Sequence, residues 1–242
     1  MMTKYTYWAF ESEIKADICK DIINLGNSKI IENKKLGIDT SGTTFGGEEK
    51  QKNPNAVSQG DKTLSEIKDK KTYIRDSEVS WLNNKWLYDL VLPYVSKANK
   101  LAGWNYDLEA AETFQFTKYG LGGLYGWHSD CGTDKHASYH REIPGLTKKE
   151  KNKNYSKDYR TVGKIRKLSV TINLNKPGEY EGGNLKFDYG PHFKGERYKE
   201  CTEIRPQGSI IVFPSYIYHQ VTPITRGTRY SLVLWNLGNP FK

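Results

Sequence analysis

Histidine, aspartate and arginine are spaced along the C-terminal half of this chain in a way that suits a metal centre. His128 and Asp130 stand two residues apart in Gly126-Trp-His-Ser-Asp130. On an extended strand, residues i and i+2 face the same side, so an imidazole and a carboxylate aim at one point. His219, in Tyr218-His-Gln-Val-Thr-Pro223, can bring a second imidazole. Two histidines and a carboxylate on one face of a metal leave its other positions open to a co-substrate and O2, as in non-haem Fe(II) sites. Zinc accepts the same ligand types. Arg229 follows His219 by ten residues, inside a hydrophobic strand. A guanidinium there is costly unless a carboxylate meets it, and its planar fork suits a two-point carboxylate contact. A zinc hydrolase leaves that arginine without a task.

The elements that must position these residues are mostly strands. Thr113 to Tyr119 alternates apolar and polar residues, and Gly120, Gly122 and Gly123 turn it into the His128-Ser129-Asp130 strand. Leu168 to Leu174 alternates throughout, and its apolar phase extended backwards points Arg166 at the interior or the cavity mouth. Ser209 to Phe213 is wholly apolar, and Pro214-Ser215 separates it from the His219 strand. The last strand, Arg229 to Trp235, puts Arg229, Ser231, Val233 and Trp235 on one face. Helices gather before these strands. Ser12 can cap the first, with Ile14, Ile18, Ile22 and Leu25 in a stripe and Gly26 ending it. A second runs from Asn84 to Leu101, with Pro93 kinking or dividing it. Trp81, Trp86 and Trp104 read as core anchors, and Tyr73-Ile-Arg75 as a short strand. The pattern predicts a mainly β fold with flanking helices: a barrel or sandwich of antiparallel strands. Residues 1–110 form a helical and loop support integral to one domain, and 111–242 form its core.

Composition sets the outer limits. The chain has 242 residues, Lys+Arg 37 against Asp+Glu 28 and a net charge of +9. It contains no run of about 18 apolar residues and no apolar leader, which predicts a cytoplasmic protein with no membrane partner. Cys19, Cys131 and Cys201 are scattered and odd in number, which fits reduced thiols. From Arg141 to Lys167 ten basic residues face three acidic ones, a surplus of seven. That segment is either a solvated loop or a basic lid for an acidic or nucleic-acid partner. The stretches 36–71 and 131–164 are long enough to serve as lids.

The text around the ligands resembles the prolyl 4-hydroxylase branch of the 2-oxoglutarate/Fe(II)-dependent dioxygenases. It does so at Tyr119-Gly-Leu-Gly-Gly-Leu-Tyr125-Gly-Trp-His128-Ser-Asp130, at Glu181-Gly-Gly-Asn-Leu185 and at Gly208-Ser-Ile-Ile-Val-Phe-Pro-Ser215. Within that branch it is most similar to bacterial and phage proteins with a PKHD-type hydroxylase domain. Arg229 agrees with this group, whereas many animal and plant enzymes carry lysine there. The resemblance implies a double-stranded β-helix, or jelly roll, with Fe(II) on His128, Asp130 and His219 and 2-oxoglutarate held by Arg229. It also implies roles for Tyr119 and Leu185 around 2-oxoglutarate, where Ser231, on the Arg229 face, can add a hydroxyl donor, and places Tyr125 and Trp235 near the iron and the substrate path. Arg166, by its strand phase, is either a residue near the substrate or a strand-end arginine reaching solvent. The implied reaction consumes O2 and 2-oxoglutarate, releases succinate and CO2, and hydroxylates a C–H bond, with L-ascorbate to re-reduce the iron. The branch points to C4 of a prolyl residue in a peptide or protein partner. A free amino acid, a small metabolite or a nucleobase stays open as substrate, and nucleic acid is the less favoured partner. A metal-binding jelly roll without catalysis is the reading from another class.

Overall fold

The computed structural model describes residues 5–42, 44–45, 73–131, 164–191, 193 and 195–241. The predicted basic lid is therefore outside the described residues except for its last four, as is most of the 36–71 loop. The chain opens with β1 (Trp8–Phe10) and α1 (Ala16–Lys35), then β2 (Thr44–Phe45), β3 (Tyr73–Asp76), β4 (Glu78–Leu82) and α2 (Lys85–Leu101). The strands that follow are β5 (Ala110–Ala111), β6 (Phe114–Tyr119), β7 (Leu124–His128), β8 (Ile165–Asn173), β9 (Tyr180–Gly182), β10 (Leu185–Asp188) and β11 (Tyr198–Glu200). After a 3-10 turn come β12 (Ile210–Pro214), β13 (Tyr218–Val221), β14 (Ile224–Gly227) and β15 (Arg229–Gly238).

The major sheet runs β1-β12-β8-β15-β6-β4, with β5 also on β15, and the second runs β11-β10-β13-β7-β3-β2. Every pairing in them is antiparallel. This is the expected jelly roll, mostly β and buttressed by helices.

Strand alternation divides the major sheet into two faces. Leu168, Val170 and Ile172 join Phe114, Phe116, Ile210, Val212, Leu232 and Leu234 in one apolar layer against α1 and α2. On the opposite phase Ser169, Thr171 and Asn173 pair with Trp235, Val233 and Ser231. Those short polar side chains line the inner, cleft-facing side.

Several local expectations need correction. Gly26 does not end the first helix but lies within it, and Ser12 does not cap it: the N-cap is Lys15, without a side-chain bond. A Cβ on Gly26 would stand 2.3 Å from the Phe116 ring. The glycine is there so that the helix can approach the sheet. Ser80 Oγ completes that contact by donating to the Gly26 carbonyl at 3.0 Å. Pro93 sits inside a single helix rather than dividing it. Of the three tryptophans expected in the core only Trp104 is buried, whereas Trp81 and Trp86 are 48% and 39% exposed.

Candidate active site

The two histidines meet across a strand pair. His219 on β13 lies opposite His128 on β7, and their ring centroids are 4.2 Å apart. Asp130 is not on the strand, as the i, i+2 argument required; β7 ends at His128. The chain bends instead, and the amides of Asp130 and Cys131 both donate to the Ser215 carbonyl, at 2.9 and 2.8 Å. That hook brings the carboxylate back between the rings. Asp130 Oδ1 is 3.7 Å from His128 Nε2, and Oδ2 is 3.6 Å from His219 Nε2. The three ligand atoms lie within 4.8 Å of one another, close enough to hold one metal ion.

The backbone selects which nitrogen each histidine presents. His128 Nδ1 is 2.8 Å from the Gly126 carbonyl, and His219 Nδ1 is 2.9 Å from the Ile217 carbonyl. Each Nδ1–H is spent on a carbonyl, so each Nε2 carries a lone pair turned inward. Ser169 Oγ donates to Asp130 Oδ2 at 2.6 Å and is itself 2.9 Å from Ser215 Oγ. Burial, with the neighbouring His219, pushes the His128 pKa down to about 3, so the ring is neutral, as a metal ligand must be. For Asp130 burial acts upward, but the neighbouring His219, His128 and Arg166 and the Ser169 hydroxyl outweigh it and hold the carboxyl below its usual range.

A β-bulge shapes the wall beside the ligands. Val221 pairs with Tyr125 while His219 pairs with His128, so two steps on β13 match three on β7. Tyr125 and His128 therefore share a face and stack, with centroids 3.5 Å apart. Arg75, paired to Tyr125, lies 4.8 Å over its ring, with Nε donating to Ser77 Oγ at 3.1 Å.

A second irregularity places Arg166. Leu168 pairs with Asn236 and Arg166 with Leu237, so Lys167 is skipped. Arg166 thus turns to the face opposite Leu168, Val170 and Ile172. It reaches the cleft because of the bulge and not, as sequence phasing argued, because it shares the face of those residues. There it lies 3.9 Å over the Trp235 ring and forms a two-point pair with Glu112 at 2.6 and 2.7 Å. Burial works against its charge, but Glu112 overcomes this and raises the Arg166 pKa. Trp81 tilts against Trp235 at 6.3 Å.

Arg229 is 1% exposed and pairs across the ladder with Tyr119, its Cζ 5.5 Å from that ring. Its Nη1 donates to Ser231 Oγ at 3.3 Å, and its buried Nε has no partner. No carboxylate meets it among the described residues. Leu185 is buried and pairs with Val221. Gly183 makes room for the arginine: a Cβ there would stand 2.9 Å from Arg229 Cδ. The donor set thus fits Fe(II), and the buried guanidinium, with its Nε unpaired, fits an anionic carboxylate.

Residues 114–236 match the family model of the 2OG-Fe(II) oxygenase superfamily. The chain belongs to that superfamily. Membership implies Fe(II), 2-oxoglutarate and O2 as its cofactor and co-substrates. Among curated relatives, a PKHD-type hydroxylase of Bordetella pertussis is 29% identical over 122 residues, which are 50% of this chain and 41% of the relative. Such relatives are thus matched over less than half of their length. Among solved structures, a Pseudomonas putida prolyl-4-hydroxylase has a TM-score of 0.55 at 14% identity, over 98% of this chain and 95% of that one. A Trichoplax adhaerens prolyl hydroxylase, solved with a hypoxia inducible factor peptide fragment, has a TM-score of 0.56 at 15% identity, over 96% and 84%. These two likenesses establish a shared fold.

Ser169, Ser215, Glu112 and Arg75 were missed from sequence. Ser169 carried a faint signal, as the first short polar residue on the inner phase of an alternating strand. The others enter through register and loop closure, which no spacing reveals.

Proposed function

We propose that this chain is a Fe(II)- and 2-oxoglutarate-dependent dioxygenase that hydroxylates C4 of a prolyl residue in a peptide or protein. The observation that carries the reading is the inward-facing His128, Asp130 and His219 cluster together with an arginine, Arg229, that is buried without a carboxylate. In this reading the three ligands hold the iron. Arg229 and Ser231 bind the distal carboxylate of 2-oxoglutarate, Tyr119 hydrogen-bonds it and Leu185 walls it. Bound iron would couple decarboxylation of 2-oxoglutarate, which with O2 gives succinate and CO2, to insertion of one oxygen atom into the substrate C–H bond. The protein's share is positioning. Tyr125 and His128 stack as a flat wall, and Arg166 and Trp235, braced by Glu112, form the side where a peptide would lie. The fold neighbours, one of them solved with a peptide, support a peptide substrate. Ascorbate would serve to re-reduce iron oxidised in uncoupled turnovers. Residues 1–110 act as a support of the 111–242 core rather than as a separate domain.

The first test is anaerobic addition of Fe(II) and 2-oxoglutarate, followed in the visible spectrum. A weak charge-transfer band that His219→Ala abolishes is the expected result. Its absence from iron-loaded protein would sink the dioxygenase reading in favour of a binding module. Proline-rich peptides are then assayed for a gain of one oxygen atom by mass spectrometry. Succinate release without hydroxyproline would point to another substrate.

A further inference from the structure

Arg229 Nε is not the only orphaned polar atom in its neighbourhood. The phenolic oxygen of Tyr180 is also buried without a hydrogen-bond partner. Tyr180 is 6% exposed and clusters with Tyr119, Val221 and Ile224. Its ring and the Arg229 side chain both border the Gly183 position. The point where a Cβ on Gly183 would stand is 2.9 Å from Arg229 Cδ and 3.3 Å from Tyr180 Cε2. Both glycines have positive φ, 70° and 59°, and a Cβ on Gly182 would fall 2.1 Å from the Pro223 carbonyl. The turn is thus packed tightly, against the Pro223 backbone at Gly182 and against Ile224, Arg229 and Tyr180 at Gly183. From its own side the Tyr180 ring is held by Arg205, whose Cζ lies 4.9 Å over it and whose Nη1 donates to the Gly182 carbonyl at 3.0 Å.

Leaving one buried donor unpaired is costly, and two on side chains that border the same glycine point to an acceptor that both can use. Arg229 Nε can only donate. Ser231 Oγ already accepts from Arg229, so its own O–H is free to donate as well. A group able to take up several neighbouring donors, one of them cationic, is a carboxylate, with two oxygens and about four acceptor sites. We propose that Tyr180 donates its hydroxyl to the distal carboxylate of 2-oxoglutarate, as a co-substrate-binding residue beside Arg229. The inference rests on reading Arg229 as the carboxylate clamp.

The test uses the full chain loaded with Fe(II) under anaerobic conditions and measures binding rather than turnover. Wild type, Tyr180→Phe and Arg229→Ala are titrated with 2-oxoglutarate by calorimetry and by the charge-transfer band. Each is also titrated with 2-oxopentanoate, which has a methyl group in place of the distal carboxylate. Tyr180→Phe is expected to weaken 2-oxoglutarate roughly 10- to 100-fold, as loss of a hydrogen bond to a charged group does. It should leave 2-oxopentanoate binding unchanged. Because the hydroxyl has no partner in the free protein, the variant should melt no lower than wild type. If Tyr180→Phe binds 2-oxoglutarate normally while Arg229→Ala does not, the role of Tyr180 is refuted and the clamp stands. If neither weakens it, the clamp falls too. Equal weakening of both oxoacids would mean that Tyr180 merely supports the fold.

Discussion

Ser169 shows how far the proposed ligand set depends on residues outside it. Its hydroxyl holds Asp130 Oδ2 and is within bonding distance of Ser215 Oγ, so it fixes which way the carboxylate turns. Ser169→Ala should lower Fe(II) affinity by about 10- to 100-fold, the usual cost of losing such a partner, with little change in secondary structure. Competition with a metallochromic chelator would measure it, and unchanged affinity would mean that the carboxylate orients itself. His128→Ala and His219→Ala should each leave the purified protein iron-poor, read as metal per mole of chain. The clustering of His128, Asp130 and His219 and the burial of Arg229 could be anticipated from the sequence because each sits in a local motif of fixed residue types. Ser169, Ser215 and Tyr180 could not, because their roles arise where distant strands come into register.

Among elements, α1 is the case where a local rule misled. A glycine after an apolar stripe usually marks a helix end. Here it is the point of closest approach between helix and sheet. Gly26→Ala should therefore destabilise the protein by about 1–3 kcal/mol through overpacking against Phe116, although alanine is the better helix former. Urea unfolding would detect this, and a neutral or stabilising result would mean that Phe116 can move aside. The two bulges carry a related lesson. Periodicity placed the strands well, but one skipped residue inverts a face, and nothing in the residue types around Lys167 or in Gly126-Trp127 announces it. Asp130 illustrates the same limit at a strand end, where a backbone hook to Ser215 does the work assigned to strand geometry.

For the whole molecule, pH acts through the buried ligand set. The folded His128 pKa lies near 3, below the ordinary value of 6.5. Above 6.5 both folded and unfolded forms are neutral there, and stability is unaffected. Below it the unfolded chain takes up a proton that the fold refuses, so metal-free stability falls as pH drops from 6.5 towards 3. The slope from this group is at most about 1.4 kcal/mol per pH unit. The lowered Asp130 pKa acts in the same direction but only within the acid carboxylate range. Thermal melts of the metal-free protein at pH 7 and pH 5 should show a lower midpoint at pH 5, and His128→Gln should reduce that difference. The fold class was legible at this scale because alternating strands and clustered helices leave few ways to build a core. Which helix face meets which strand was not, because packing partners are chosen in three dimensions.

The strand pairing also bears on how this protein can be handled. β1 covers one side of β12, β4 one side of β6 and β3 one side of β7. All three come from the first 82 residues, ahead of the segment that matches the family model. A fragment trimmed to that segment would expose three raw sheet margins, one of them the wholly buried Ile210–Pro214. Open backbone donors and acceptors beside apolar side chains recruit other chains. Such a fragment should precipitate on expression even though every proposed iron ligand is present. Supplying residues 1–110 in trans, as a separate polypeptide, should recover soluble material only if β1, β3 and β4 find those margins before the fragments find each other.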